Sequence, residues 1–310
     1  MIIIVLLYAL FGSSFVLGKW ALSYSTPFFL TGIRMTIGGL ILLSYLFFYA
    51  HEHFVFKRKH LWWYVQMIFF GIYITYSLRF WALASMPAAK TNFIYNLSPF
   101  MSAFFSYLLF GEKLSKKKWV GLAIGCVGLV PILLTSSAGE QTVGEVAFLS
   151  LPELAVILSV ATHTYSWIVM RKLVKEKSYS PMMINGLGMT AGGILALITS
   201  FFVEGMLPIQ EGKMGIFFGL LACIIILSNI ICYNLYGRLL KRYTATFLSF
   251  AGFLSPLFTA LYAWVLLNET VGWAFYLSCL VVFVGLYLFY QEELYESVLS
   301  DEGRVEVDLD

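Results

Sequence analysis

The sequence predicts an all-α integral membrane protein: ten transmembrane helices in two inverted five-helix repeats, with both termini cytoplasmic. Three observations carry this prediction. Hydrophobic residues are 60% of the 310 and charged residues only 12%, far from soluble globular averages. Leu97-Ser98-Pro99, followed by Glu112, recurs 157 residues later as Leu254-Ser255-Pro256, followed by Glu269. Basic residues gather in alternate inter-helix loops.

The spans come first. Apolar runs long enough to cross ~30 Å of hydrocarbon as helices fall at 2–22, 28–50, 61–84, 88–110, 119–136, 147–170, 181–203, 214–238, 244–267 and 271–290. They do not alternate in polarity, as the strands of a membrane barrel would. The first lacks a basic start and a small-residue cleavage site, so it reads as a helix and not a signal peptide.

The duplication runs through these spans. At the offset of 157, Tyr76 pairs with Tyr233, Leu78 with Leu235, Ala88 with Ala245, Phe93 with Phe250 and Gly128 with Gly285. Upstream the offset is 154, pairing Pro27 with Pro181, Gly32 with Gly186, Met35-Thr36 with Met189-Thr190 and Gly38-Gly39 with Gly192-Gly193. One loop longer by three residues accounts for the shift. Residues 1–136 form the first repeat, 147–290 the second and 291–310 an acidic cytosolic tail.

Orientation follows from charge. The even-numbered loops carry Lys57, Arg58 and Lys59; Lys113, Lys116, Lys117 and Lys118; Arg171, Lys172, Lys175 and Lys177; and Arg238, Lys241 and Arg242. The odd-numbered loops hold Lys90 and Lys213. Positive loops stay inside, so both termini face the cytoplasm. Five helices per repeat is an odd number, so the second copy enters the membrane upside down. Exchanging the conformations of two inverted halves converts an outward-open state into an inward-open one around a midplane site.

Candidate substrate-binding residues follow from polar and aromatic faces. The fourth span places Asn92, Tyr95, Asn96, Pro99 and Ser102 on one face. The third offers Tyr73 and Tyr76, the eighth Asn229 and Tyr233, the first Phe15, and the ninth Phe250. Polar groups are costly against lipid, so these faces meet another helix or a cavity. Pro99 and Pro256 are candidate helix kinks. Glu153 and His163 are the ionisable candidates of the sixth span. His163 leaves proton coupling open. Arg34 and Lys19 are the charged candidates: an Arg could take a substrate carboxylate and Glu153 a cation, while Lys19 and Arg79 read first as structural or interfacial, Arg79 lying off the Tyr73/Tyr76 face. Gly121/Gly125, Gly188/Gly192 and Gly215/Gly219 read as close helix packing, and Trp62, Trp63, Trp119 and Trp273 as an interfacial belt.

Phe11-Gly12-Ser13-Ser14-Phe15 with Lys19, Pro27 and Arg34 is similar to the opening of an EamA-type repeat, with Phe11 where that family usually has Trp. Together with the Ser-Pro…Glu pair closing each half, the chain resembles the ten-helix EamA branch of the drug/metabolite transporter superfamily over nearly its whole length. The resemblance implies a central cavity lined by helices 1, 3, 4, 6, 8 and 9.

It also implies secondary transport of a small polar or zwitterionic metabolite across a bacterial inner membrane, amino acids being the leading class. S-adenosylmethionine or a nucleoside-like metabolite is the alternative, and a lipid flippase or non-transporting subunit the alternative of another class. The chain has no ATP-binding P-loop, zinc motif or nucleophile elbow, so an enzyme, a metal and a cofactor are not expected. The partners are a small-molecule substrate and the lipid bilayer. The basic loops are topology signals, not nucleic-acid patches.

Overall fold

The computed structural model describes residues 2–110, 115–134, 144–146, 149–175, 177–239, 248 and 251–307. Its helices are α1 (Ile2–Leu22), α2 (Pro27–Tyr49), α3 (Arg58–Ser85), α4 (Ala88–Ile94, continued through Tyr95–Leu97 and Ser98–Phe110), α5 (Lys116–Leu133), α6 (Leu151–Lys175), α7 (Pro181–Val203), α8 (Met214–Ile224, continued through Ile225–Cys232 and Tyr233–Leu239), α9 (Leu254–Leu267) and α10 (Trp273–Val307). A two-stranded antiparallel ladder, β1 (Glu145–Val146) with β2 (Leu149–Ser150), precedes α6. That ladder delays α6 to Leu151, four residues beyond the start read from hydropathy.

Among the described residues seven helices are long and apolar enough to cross a membrane. The protein is therefore a multi-pass integral membrane protein. Of the others, α4 carries a 3-10 turn at Tyr95–Leu97, α5 opens on Lys116, Lys117 and Lys118, and Leu254–Leu267 of α9 is a shorter apolar helix of 14 residues. Large apolar side chains such as Phe48, Phe202, Trp264 and Leu280 stand exposed on the outside, where lipid is the solvent. α10 runs on to Val307, so the acidic tail continues the helix instead of leaving it at 290.

Close packing is concentrated where α2 meets α7 and where α5 meets α10. Glycines set both contacts. A Cβ on Gly39 would lie 2.5 Å from Thr190 N, with the Gly186 carbonyl at 2.8 Å; one on Gly193 would lie 2.5 Å from Thr36 N, with the Gly32 carbonyl at 2.9 Å. Likewise Gly121 faces the Gly285 carbonyl, and Gly285 faces Gly121 and Gly125. Such backbone approach is how helices associate when lipid supplies no hydrophobic drive. Gly215 and Gly219 differ from the sequence expectation: among the described residues nothing lies within 4 Å of a Cβ placed on either.

Helix interruptions occur at related places. In α3 the segment Met67–Ile74 is π-helical, and in α8 so is Ile225–Cys232. In α4 the turn Tyr95–Leu97 is 3-10, with Ser98 N–H on the Tyr95 carbonyl. Pro99 has no N–H for that same carbonyl, four residues back. Before Pro256, Ser255 N–H bonds the Gly252 carbonyl at 2.9 Å in the same tightened pattern.

Candidate functional site

The charged side chains near helix ends mostly hold those ends. The Lys19 ammonium donates to the carbonyls of Leu83 (2.8 Å), Ala84 (3.3 Å) and Met86 (2.7 Å), closing the C-terminus of α3. Glu204 accepts from Thr26 Oγ1 (2.6 Å) and from the amides of Phe28 and Phe29 (both 2.9 Å) at the start of α2. Glu269 accepts from Ala88 N at the start of α4.

Glu153 belongs to the same class. Its Oε2 accepts from Ser150 N (2.7 Å) and Ser150 Oγ (2.9 Å), and Ser150 Oγ accepts from Glu153 N at 3.4 Å. This is a capping box written Ser150-Leu151-Pro152-Glu153. Its other oxygen lies 2.8 Å from Lys90 Nζ in a fully buried ion pair. The sequence pattern puts Lys90 in an outer loop; the structure buries it in α4, because Glu153 is its counter-charge.

Asn92 and Tyr73 are likewise used between helices. Asn92 Nδ2 donates to Ser255 Oγ (2.9 Å) and Thr259 Oγ1 (2.6 Å), tying α4 to α9. Tyr73 OH bonds Thr199 Oγ1 of α7 at 2.7 Å. Tyr233 packs edge-on to Phe11. Asn96 is buried with its Nδ2 unpartnered. Phe250 lies outside the described residues.

The remaining candidates converge. Arg34 of α2 and Arg79 of α3 both lie over the rings of Tyr76 and Phe80: Arg34 at 5.4 and 5.3 Å, Arg79 at 4.5 and 5.2 Å. Arg79 also lies over Phe15 of α1 (5.0 Å) and Tyr95 of α4 (5.5 Å). Phe15 meets Tyr95 edge-on. The Tyr95 hydroxyl bonds Ser159 Oγ, which donates to the Thr75 carbonyl at 2.7 Å. His163 packs against Tyr76 and Tyr95, and its Nε2 accepts from Trp167 Nε1 at 3.2 Å. Each desolvated cation–ring contact is worth up to ~2 kcal/mol. That offsets part of the several kcal/mol that burying a guanidinium costs.

Arg34 is fixed from the other half of the chain. Its Nε donates to Asn229 Oδ1 at 3.1 Å, and Asn229 Nδ2 contacts the sulfurs of Met35 (3.7 Å) and Met189 (3.6 Å). Gly38 makes room for this, since a Cβ there would lie 2.8 Å from Asn229 Nδ2. Arg79, read from the sequence as interfacial, is instead buried in this cluster. Three residues after Tyr76, it shares that ring's face; the π-helical segment before Thr75 turns Tyr73 away instead.

A profile of the EamA-like transporter family matches residues 1–134 and again 150–291. The chain belongs to the EamA-like transporter family. An S-adenosylmethionine/S-adenosylhomocysteine transporter of Chlamydia muridarum (strain MoPn / Nigg) is 35% identical to it, covering 94% of this chain and 92% of its own. The protein of the same description from Chlamydia trachomatis serovar D is 34% identical over 94% and 90%. A probable amino-acid metabolite efflux pump of Salmonella typhimurium is more distant, at 24% over 91% and 92%. One solved structure superimposes with a TM-score of 0.65 over 92% of this EamA chain and 94% of its own at 18% identity, a likeness of fold alone.

Proposed function

We propose that this EamA-like transporter moves S-adenosylmethionine and S-adenosylhomocysteine by alternating access, in exchange across a bacterial inner membrane. The observation that carries the reading is the buried aromatic and cationic cluster of Phe15, Arg34, Tyr76, Arg79, Tyr95 and His163. Its rings suit a planar purine, and its guanidiniums suit an amino-acid carboxylate. The 35% relative favours this substrate over the plain amino acids that composition and resemblance put first. In this reading ten spans form two inverted repeats, 1–136 and 147–290, with both termini cytoplasmic. The reciprocal glycine contacts of α2 with α7 support the two-fold relation.

Purified protein in liposomes loaded with unlabelled S-adenosylhomocysteine tests it. Labelled S-adenosylmethionine should enter by counterflow, with and without a pH gradient as the coupling comparison. Counterflow of amino acids alone would replace the reading with the amino-acid one.

A further inference from the structure

We propose that Arg34 and Arg79 clamp one carboxylate of the transported molecule, and that this carboxylate is the group the site requires. The inference rests on the cluster being the substrate site, and it commits that site to one recognition chemistry.

Arg34 has no exposed surface, and among the described residues its Nη1 and Nη2 have no hydrogen-bond partner. Arg79 is 8% exposed, and its Nε is unpartnered. Both guanidiniums lie over the same two rings, Tyr76 and Phe80, so two like charges share one apolar frame. Among the described residues no carboxylate forms an ion pair with either. Glu153, the one carboxylate buried among them, is held by Lys90 and Ser150. Two uncompensated cations side by side are unfavourable unless an anion joins them.

The geometry also selects the anion. Asn229 engages Nε of Arg34, which leaves the terminal Nη1/Nη2 edge as the free one. That edge donates in parallel to two oxygens of one planar group, the arrangement a carboxylate fills. Arg79 approaches from the next helix, so the second charge can meet the same group. The surrounding rings of Phe15, Tyr76 and Tyr95 offer faces to the rest of the ligand and no further acidic partner. A sulfonium or ammonium centre therefore does not anchor the ligand here. The anion does.

The test is equilibrium binding of labelled S-adenosylhomocysteine to the purified full-length protein, competed by a panel. S-adenosylhomocysteine and S-adenosylmethionine should compete. The methyl ester of the first, the decarboxylated form of the second, and methylthioadenosine should each be weaker by about a hundredfold, as loss of a buried charge pair predicts. Arg34→Gln and Arg79→Gln should each weaken S-adenosylhomocysteine about thirtyfold or more and leave the already weak methylthioadenosine within about threefold, a selectivity that misfolding would not produce. Binding of labelled methionine, competed by methionine or by methionine amide, repeats the comparison without the adenosyl group.

Competition by the ester or decarboxylated compound at near-equal strength overturns the clamp and leaves the proposed substrate standing. So does strong competition by adenosine 5′-monophosphate, which carries a phosphate in place of the carboxylate. No adenosyl binding, with methionine preferred over its amide, overturns the substrate and supports the clamp. Binding of none of these overturns both.

Discussion

Arg34 and Asn229 are 195 residues apart, and the guanidinium Nε of the first donates to the amide oxygen of the second at 3.1 Å. Their counterparts under the repeat are Gly188 and Ile72. Those two also face each other: a Cβ on Gly188 would lie 3.5 Å from Ile72 Cγ1. The flanking glycines match as well, with a Cβ on Gly38 at 2.8 Å from Asn229 and one on Gly192 at 2.8 Å from Ile72. One contact is thus built twice, polar in one copy and apolar in the other. The scaffold is common to both halves, and the charge belongs to one.

Replacing Asn229 by Leu makes the polar copy resemble the apolar one. It leaves Arg34 Nε without its acceptor, a loss of about 1.5–3 kcal/mol for a hydrogen bond to a charged group. S-adenosylhomocysteine affinity should fall by about tenfold or more, and the protein should still elute as a single species. Unaltered affinity would show that Asn229 does not position the guanidinium.

Glu153 separates a structural role from a substrate contact. Glu153→Gln strips Lys90 of its buried counter-charge, which costs about 3–5 kcal/mol. The melting temperature of the purified protein should drop sharply, while KM in counterflow stays that of the parent. The double change Lys90→Met with Glu153→Met should regain most of the stability, since a buried pair is often matched by apolar residues of similar volume. A raised KM in a protein of unchanged stability would return Glu153 to the substrate site.

How much of this was legible in the sequence depended on whether the signal was local. The glycine and proline positions stood out because the duplication wrote them twice, and the structure seats Gly39 and Gly193 against each other's neighbours. The S-x-x-E capping box at Ser150 and Glu153 was equally local and accounts for the Glu153 hydrogen bonds to Ser150. Arg79 was legible from Tyr76, three residues before it, and was obscured by taking Tyr73 and Tyr76 as one face. The π-helical segment Met67–Ile74 shifts the helical phase between those two tyrosines, so Tyr73 meets Thr199 while Tyr76 and Arg79 meet each other. The Arg34–Asn229 contact joins opposite halves, and no spacing within one helix reports it.

The α2–α7 contact should tolerate no added volume. In Gly193→Val even the first side-chain carbon would lie 2.5 Å from Thr36 N, a backbone atom with no rotamer to change. The two helices must separate, and fluorescence-detected size-exclusion should show loss of the monodisperse peak. Gly219→Ala is the matched comparison. Nothing lies within 4 Å of a Cβ there, and removing a mid-helix glycine should leave stability unchanged or raise it by about 0.5–1 kcal/mol. Equal tolerance at both positions would dissociate the glycine contacts from folding.

Glu269 gives a pH dependence whose sign can be worked out. It lies in the turn between α9 and α10. Burial holds its carboxyl above the ordinary 4.5, while the Ala88 N–H and the Lys19 ammonium pull it down less strongly. A carboxyl raised on folding favours the protonated form in the folded state. Its stabilising contribution is then fully present below the unfolded value and is lost as pH rises through the folded one. Glu269→Gln is neutral at every pH and keeps an oxygen for Ala88 N–H. The melting temperature of the parent minus that of Glu269→Gln should therefore fall as pH is raised from about 4 toward neutrality. Taking the difference cancels the other groups that titrate over that range. A difference that rises with pH would mean that Lys19 and the α4 amide outweigh burial, and that the ionised carboxylate is the form the fold prefers.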